Sequence, residues 1–141
     1  MFNIVVVGAD DSPTARRAIE AASEIVKMSG GVLHLVTAFD IKTRSDSSLP
    51  SEFRNLDTDG DAQAALQLLW FVAKDLGVDP VLHSVAGDPS AVIVATADKV
   101  NADLIVVGNR GMKGKRRLLG SVPNSVAHSA NCSVVIIDTT E

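Results

Sequence analysis

The chain has 141 residues, enough for one domain spanning 1–141 with one sizeable core. Its net charge of −4 excludes wholesale attraction to nucleic acid, although local basic clusters can still act. A single cysteine, Cys132, excludes an internal disulfide framework, and no apolar run approaches the roughly 20 residues that a membrane helix needs.

Strands and helices alternate along the chain. The apolar start Ile4–Val7 stops at Gly8, too short for a signal peptide, so a soluble cytoplasmic chain is expected. After this first strand, Ser12 can cap a helix and Pro13 can occupy its first turn. Ala15, Ala18, Ile19, Ala22, Ile25 and Val26 then recur at helical spacing, and Gly30-Gly31 ends the element. Val32–Ala38 reads as a second strand. Asp40 to about Gly60 is polar, without periodicity, and reads as a long loop of the kind that often carries function. Ala62, Ala65, Leu66, Leu69, Ala73 and Leu76 share one face of a second helix, which Gly77 closes. Val81–Val85 is the third strand. Asp88 caps the next helix, Pro89 fills its first turn, and Ile93, Ala97 and Val100 mark its buried stripe. Leu104–Val107 is the fourth strand, a short helix runs from about Ser121 to Ala130, and Ser133–Ile137 is the fifth strand.

Five nearly unbroken apolar strands joined by helices predict an α/β fold: a doubly wound parallel sheet with helices on both faces and right-handed crossovers. No internal repeat, linker or second domain is visible. Such sheets bind ligands beyond the carboxyl ends of their strands, where the strand order reverses. Two strand ends carry unusual chemistry. The first runs into Gly8-Ala9-Asp10, and the fourth into Gly108-Asn109-Arg110-Gly111, followed by Gly120-Ser121 at a helix start. Glycines let backbone N–H groups approach a phosphate, and a helix N-terminus adds free donors and a positive dipole end. A carboxylate such as Asp10 can accept hydrogen bonds from both hydroxyls of a ribose.

Plainer readings stand beside these. Gly108 can simply end a strand, with Gly111 and Gly114 serving turns. Asp10 can face the first helix as a dipole partner, and Ser121 can be a cap. Lys113, Lys115, Arg116 and Arg117 can complement phosphate or lie solvated. Two familiar phosphate signatures are absent. Five residues separate Gly108 from Gly114, and Arg116 stands where a Walker loop needs Ser or Thr. The first strand is followed by Gly-Ala-Asp-Asp-Ser and not Gly-x-Gly-x-x-Gly, which argues against a nicotinamide dehydrogenase.

His34, His83 and His128 show no metal-ligand spacing and read as ordinary structural or surface histidines. Cys132 heads what reads as an inner strand and fits a small buried hydrophobe. Trp70 reads as partial core or as cover for the long loop.

Across most of its length the sequence resembles the universal stress protein family. The resemblance rests on Ile4-Val5-Val6-Val7-Gly8-Ala9-Asp10-Asp11-Ser12, Gly87-Asp88-Pro89, Ala102-Asp103-Leu104-Ile105-Val106-Val107-Gly108, Gly120-Ser121-Val122-Pro123-Asn124-Ser125-Val126 and Cys132-Ser133-Val134-Val135-Ile136. It implies strand order 3-2-1-4-5, a homodimer paired through the last strand, and, in the ATP-binding branch, a Gly-x2-Gly-x9-Gly-Ser/Thr signature. By that resemblance Gly108, Gly111, Gly120, Ser121 and Val122 contact phosphates or ribose, with Arg110 inside the same loop. Asp10 contacts the ribose, Ala38 lies near the adenine, and Ala9 lines the pocket. Two departures stand out: eight residues, not nine, separate Gly111 from Gly120, and Asp11 replaces a frequent glycine. The implied ligand is ATP, with Mg2+ as a companion, or AMP or cyclic AMP. The implied role is a stress-response regulator that switches through the 40–60 loop. A nucleotide-free dimeric scaffold working through unknown protein partners is the alternative. A slow ATPase is a third reading, although no general base is evident beside the glycine loop.

Overall fold

The computed structural model describes residues 1–9, 15–39, 58–109 and 122–138. Among these residues five strands alternate with four helices: β1 Ile4–Gly8, α1 Ala15–Ser29, β2 Val32–Phe39, α2 Thr58–Asp75, β3 Val81–Ala86, α3 Pro89–Val100, β4 Leu104–Gly108, α4 Val122–Ser129 and β5 Ser133–Ile137. All strands are parallel, in the order β3-β2-β1-β4-β5. Parallel strands need crossover connections, and helices supply them.

Alternation along each strand feeds two cores, one on each face. Val5, Val7, Leu33, Leu35, Leu104 and Val106 face α1 and α2. Val6, Val36, Ile105 and Val107 face α3 and α4, which add Val92, Ile93, Ala97 and Val126. β1 and β4 are buried on both faces at Val5–Val7 and Leu104–Val107, which is why they read as unbroken apolar runs. The α1 stripe is buried as its spacing requires, with Ile25 only partly covered. In α2, Ala65, Leu66, Leu69 and Ala73 are buried, whereas Leu76 falls in the turn after the helix.

Three differences from the sequence reading matter. α2 starts at Thr58, two residues before Gly60, so the long loop is shorter than expected at that end. Its remainder, 40–57, lies outside the described residues, as do Ser12 and Pro13. β5 is an edge strand and not an inner one. Cys132, one residue before it, is only half-buried, and that burial pushes its thiol pKa up. Trp70 is half-buried against Phe71, ring centres 5.0 Å apart, with the Lys74 ammonium 5.6 Å from the indole centre. Among the described residues no helix is long and apolar enough to cross a membrane.

The α3 cap forms as its sequence predicts. The Asp88 carboxylate accepts from the Ala91 N–H at 3.2 Å and from the Ser90 hydroxyl at 2.7 Å. The hydroxyl, followed by the N–H, holds the carboxyl below its ordinary value of 3.8. Asp88→Ala is expected to cost about 1 kcal/mol in urea unfolding. A carboxylate that ionises more readily folded than unfolded stabilises above its unfolded pKa and loses that contribution as pH falls through its folded value. The gap between wild type and Asp88→Ala should therefore hold above about pH 4 and close in more acid solution.

Candidate functional site

Parallel pairing brings every strand's carboxyl end to one rim. At its centre β1 and β4 are neighbours, with Val5 opposite Leu104, Val6 opposite Ile105 and Val7 opposite Val106. From there the connections diverge. β1 leads to α1 on one face, and β4 leads to α4 on the other. The order reverses at this point, and in open parallel sheets the ligand crevice lies there.

Around β1 the rim carries small residues. Ala9 follows β1, with its N–H donating to the Val36 carbonyl at 3.0 Å and its own carbonyl accepting the Thr37 hydroxyl at 2.9 Å. Thr37 is buried, so this bond fixes the β1 exit against β2; no motif or spacing signals it. Ala38 reaches the same rim one strand over, half-buried. Gly108 ends β4 opposite Ile137, and the next residue, Asn109, donates its N–H to the Ile137 carbonyl at 2.9 Å and its amide to Asp138 at 3.1 Å. Val122 opens α4, half-buried against the core. No side chain larger than a methyl group stands at Gly8, Ala9, Ala38 or Gly108. Ala9, Ala38, Gly108 and Val122 thus gather along this rim and its adjoining helix start. Asp10, Arg110, Gly111, Gly120 and Ser121 lie outside the described residues, as do Asp11 and the basic residues of 113–117.

Gly8 shows how tightly the rim is backed. A Cβ there would lie 2.8 Å from Cγ1 of the buried Ile93 and would also meet its Cδ1. Gly8→Ala should cost about 1–2 kcal/mol. Ile93→Val, which removes Cδ1, should cost about 1 kcal/mol alone. In the pair the two costs should sum to less than their separate values, as a double-mutant cycle in urea would read.

A second constellation was invisible in the sequence. His34 and His83 are 49 positions apart, yet His34 Nδ1 and His83 Nε2 approach to 2.9 Å across β2 and β3. Burial lowers the pKa of both rings. For His83 the positive forms of His34 and Lys99 push the same way. Elsewhere a groove of about 300 Å³ runs between α2 and β3, lined by Gln63, Leu66, Gln67, Leu82 and Ser84. It lies on the α2 flank, away from the β1–β4 crevice.

Residues 1–138 match the universal stress protein family. The chain belongs to that family. Among relatives, universal stress protein A homolog 1 of Coxiella burnetii is 28% identical over 140 residues, covering 96% of each chain. A universal stress protein of Mycobacterium tuberculosis is 29% identical over 145 residues, 99% of this chain and 98% of its own. Among solved structures, a universal stress protein in complex with cAMP superposes with a TM-score of 0.82 at 33% identity, covering 99% of this chain and 98% of that one. The Archaeoglobus fulgidus universal stress protein in complex with dAMP gives 0.73 at 26% identity, over 98% of each.

Proposed function

We propose that this universal stress protein binds an adenine nucleotide across the carboxyl ends of β1 and β4 and acts as a cytoplasmic regulatory switch. The observation that carries the reading is the pairing of β1 with β4 where their chains part to opposite faces. Solved relatives in complex with cAMP and dAMP point to the same ligand class. In this reading Asp10 accepts from the ribose, and Ala9 and Ala38 flank the base. Gly108, Arg110, Gly111, Gly120, Ser121 and Val122 receive the phosphates, with Mg2+ accompanying a triphosphate. The nucleotide favours one arrangement of the 40–57 segment over another, and that difference is the signal. Two copies pair through β5, an edge strand whose Ile136 is 38% exposed.

The test is direct. Protein purified without added nucleotide is denatured and the released small molecules are separated. Calorimetry then follows ATP, AMP and cyclic AMP. Release of an adenine nucleotide, or saturable binding of one without turnover, is expected. No release and no heat with any of the three would leave the dimeric scaffold. Linear product formation that vanishes in a Ser121→Ala variant would mark an ATPase instead.

A further inference from the structure

We propose that His34 and His83 form a chelating site for one divalent transition cation of the class that imidazole prefers, Zn2+, Cu2+ or Ni2+, on the flank of the sheet away from the nucleotide crevice. Register creates the pair. His34 sits opposite Val81 and His83 opposite Val36, so the two rings are diagonal neighbours on the face that carries α3. His34 is only the third residue of β2, far along the strand from the rim that begins at Ala38.

The spacing fits a metal. The nitrogens are 2.9 Å apart and the ring centres 5.1 Å. A tetrahedral cation bonded at about 2.0–2.1 Å to two imidazoles holds their ring centres about 5 Å apart. The rings therefore need only pivot, with their centres in place, to turn both nitrogens onto one ion. In the hydrogen-bonded pair one of the two facing nitrogens carries a proton. When a cation takes its place that ring moves its single proton to its other nitrogen, so both rings stay neutral and no charge is displaced. Val32, Val81 and Val85 on the same face are exposed, which leaves water free to fill the remaining positions. Among the described residues no cluster of three His, Cys, Asp or Glu forms, so water is needed there. Lys99 on α3 acts on His83 electrostatically. Its charge disfavours an ion held by charge alone, such as Mg2+, and leaves one held by coordinate bonds to nitrogen.

The experiment uses the whole chain, dialysed free of nucleotide, at pH 7.5. Zn2+ is titrated calorimetrically, with Mg2+ as the comparison. The electron paramagnetic resonance spectrum of the unmodified chain with less than one equivalent of Cu2+ counts the bound nitrogens. One Zn2+ per chain is expected, with no Mg2+ heat and two imidazole nitrogens on Cu2+. His34→Asn and His83→Asn should each weaken Zn2+ at least about tenfold, because the second ligand acts as an intramolecular one. His83→Cys, which keeps a metal ligand, should retain it, and His128→Asn on the exposed face of α4 should change nothing. Zn2+ affinity unaltered in both His→Asn variants, or a Cu2+ spectrum with one nitrogen, would mean that the pair shares a proton and nothing more. Far-UV circular dichroism separates lost binding from lost fold, and the Cu2+ spectrum needs no variant. Neither result bears on the nucleotide, whose crevice shares no residue with this pair.

Discussion

Gly31→Ala should destabilise the fold by about 3 kcal/mol, more than the same change at the neighbouring Gly30. The order runs against the usual expectation. Gly30 is the residue with positive φ, +74°, where a side chain is strained, but a Cβ there meets nothing within 4 Å. Alanine in that conformation costs about 1–2 kcal/mol. At Gly31 a Cβ would lie 2.6 Å from the Asn3 carbonyl oxygen and 2.8 Å from that of Phe2. Both are backbone atoms, and both are held. The Asn3 carbonyl accepts the Val32 N–H at 2.8 Å, and the Phe2 carbonyl accepts the Ser29 hydroxyl at 2.9 Å. The Asp103 carboxylate accepts the Asn3 and Ile4 N–H groups at 2.9 and 3.0 Å, so the start of β1 is also tied to the turn before β4. The chain cannot retreat without breaking one of these bonds. Urea unfolding should show a lower midpoint at unchanged slope for both variants, with the larger drop at Gly31. Equal drops would show that backbone strain, and not the close approach, decides this corner.

The strands were legible because their burial is two-sided. Val5–Val7 and Leu104–Val107 carry no polar residue, and only a parallel sheet covered on both faces requires that. Helix ends were legible where a side chain makes the cap, as Asp88 does, and less so at α2. The apolar spacing read there begins at Ala62, one turn after the helix starts at Thr58, so it could not locate the first turn. Strand order came from resemblance. No run of residues states which strands are neighbours, because the β1–β4 contact joins segments about a hundred positions apart.

The site was legible in part for a related reason. Small residues at strand ends, Gly8-Ala9, Ala38 and Gly108, are visible one by one, and parallel pairing assembles them. The groups that hold them were not visible. Thr37 looks like any strand threonine until its hydroxyl meets the Ala9 carbonyl, and Asp103 like any turn carboxylate until it grips two N–H groups of β1. The histidine pair depends on register alone. A slip of one residue in the β2–β3 ladder would send one ring to the opposite face.

Asp10→Ala should lower the affinity for AMP by about 3 kcal/mol, roughly a hundredfold, while leaving the fold intact. Ala9 is pinned through its N–H to Val36 and through its carbonyl to Thr37, so the chain leaves β1 from a fixed point one residue before Asp10. A carboxylate presented there can accept from both ribose hydroxyls, each charged hydrogen bond contributing about 1.5–3 kcal/mol. If it does, removing the 2′-hydroxyl from the ligand must remove one of those bonds. Wild type should prefer AMP to its 2′-deoxy form by about tenfold or more, and Asp10→Ala should bind the two nearly alike. The coupling between the two deletions, read as a double-mutant cycle in calorimetry, measures the contact itself. The plainer role for Asp10, a dipole partner of the first helix, predicts a different pattern. Asp10→Ala would then lower the urea midpoint and leave the discrimination between AMP and its 2′-deoxy form untouched. A coupling near zero with both ligands still bound would take Asp10 off the ribose and assign it to the helix.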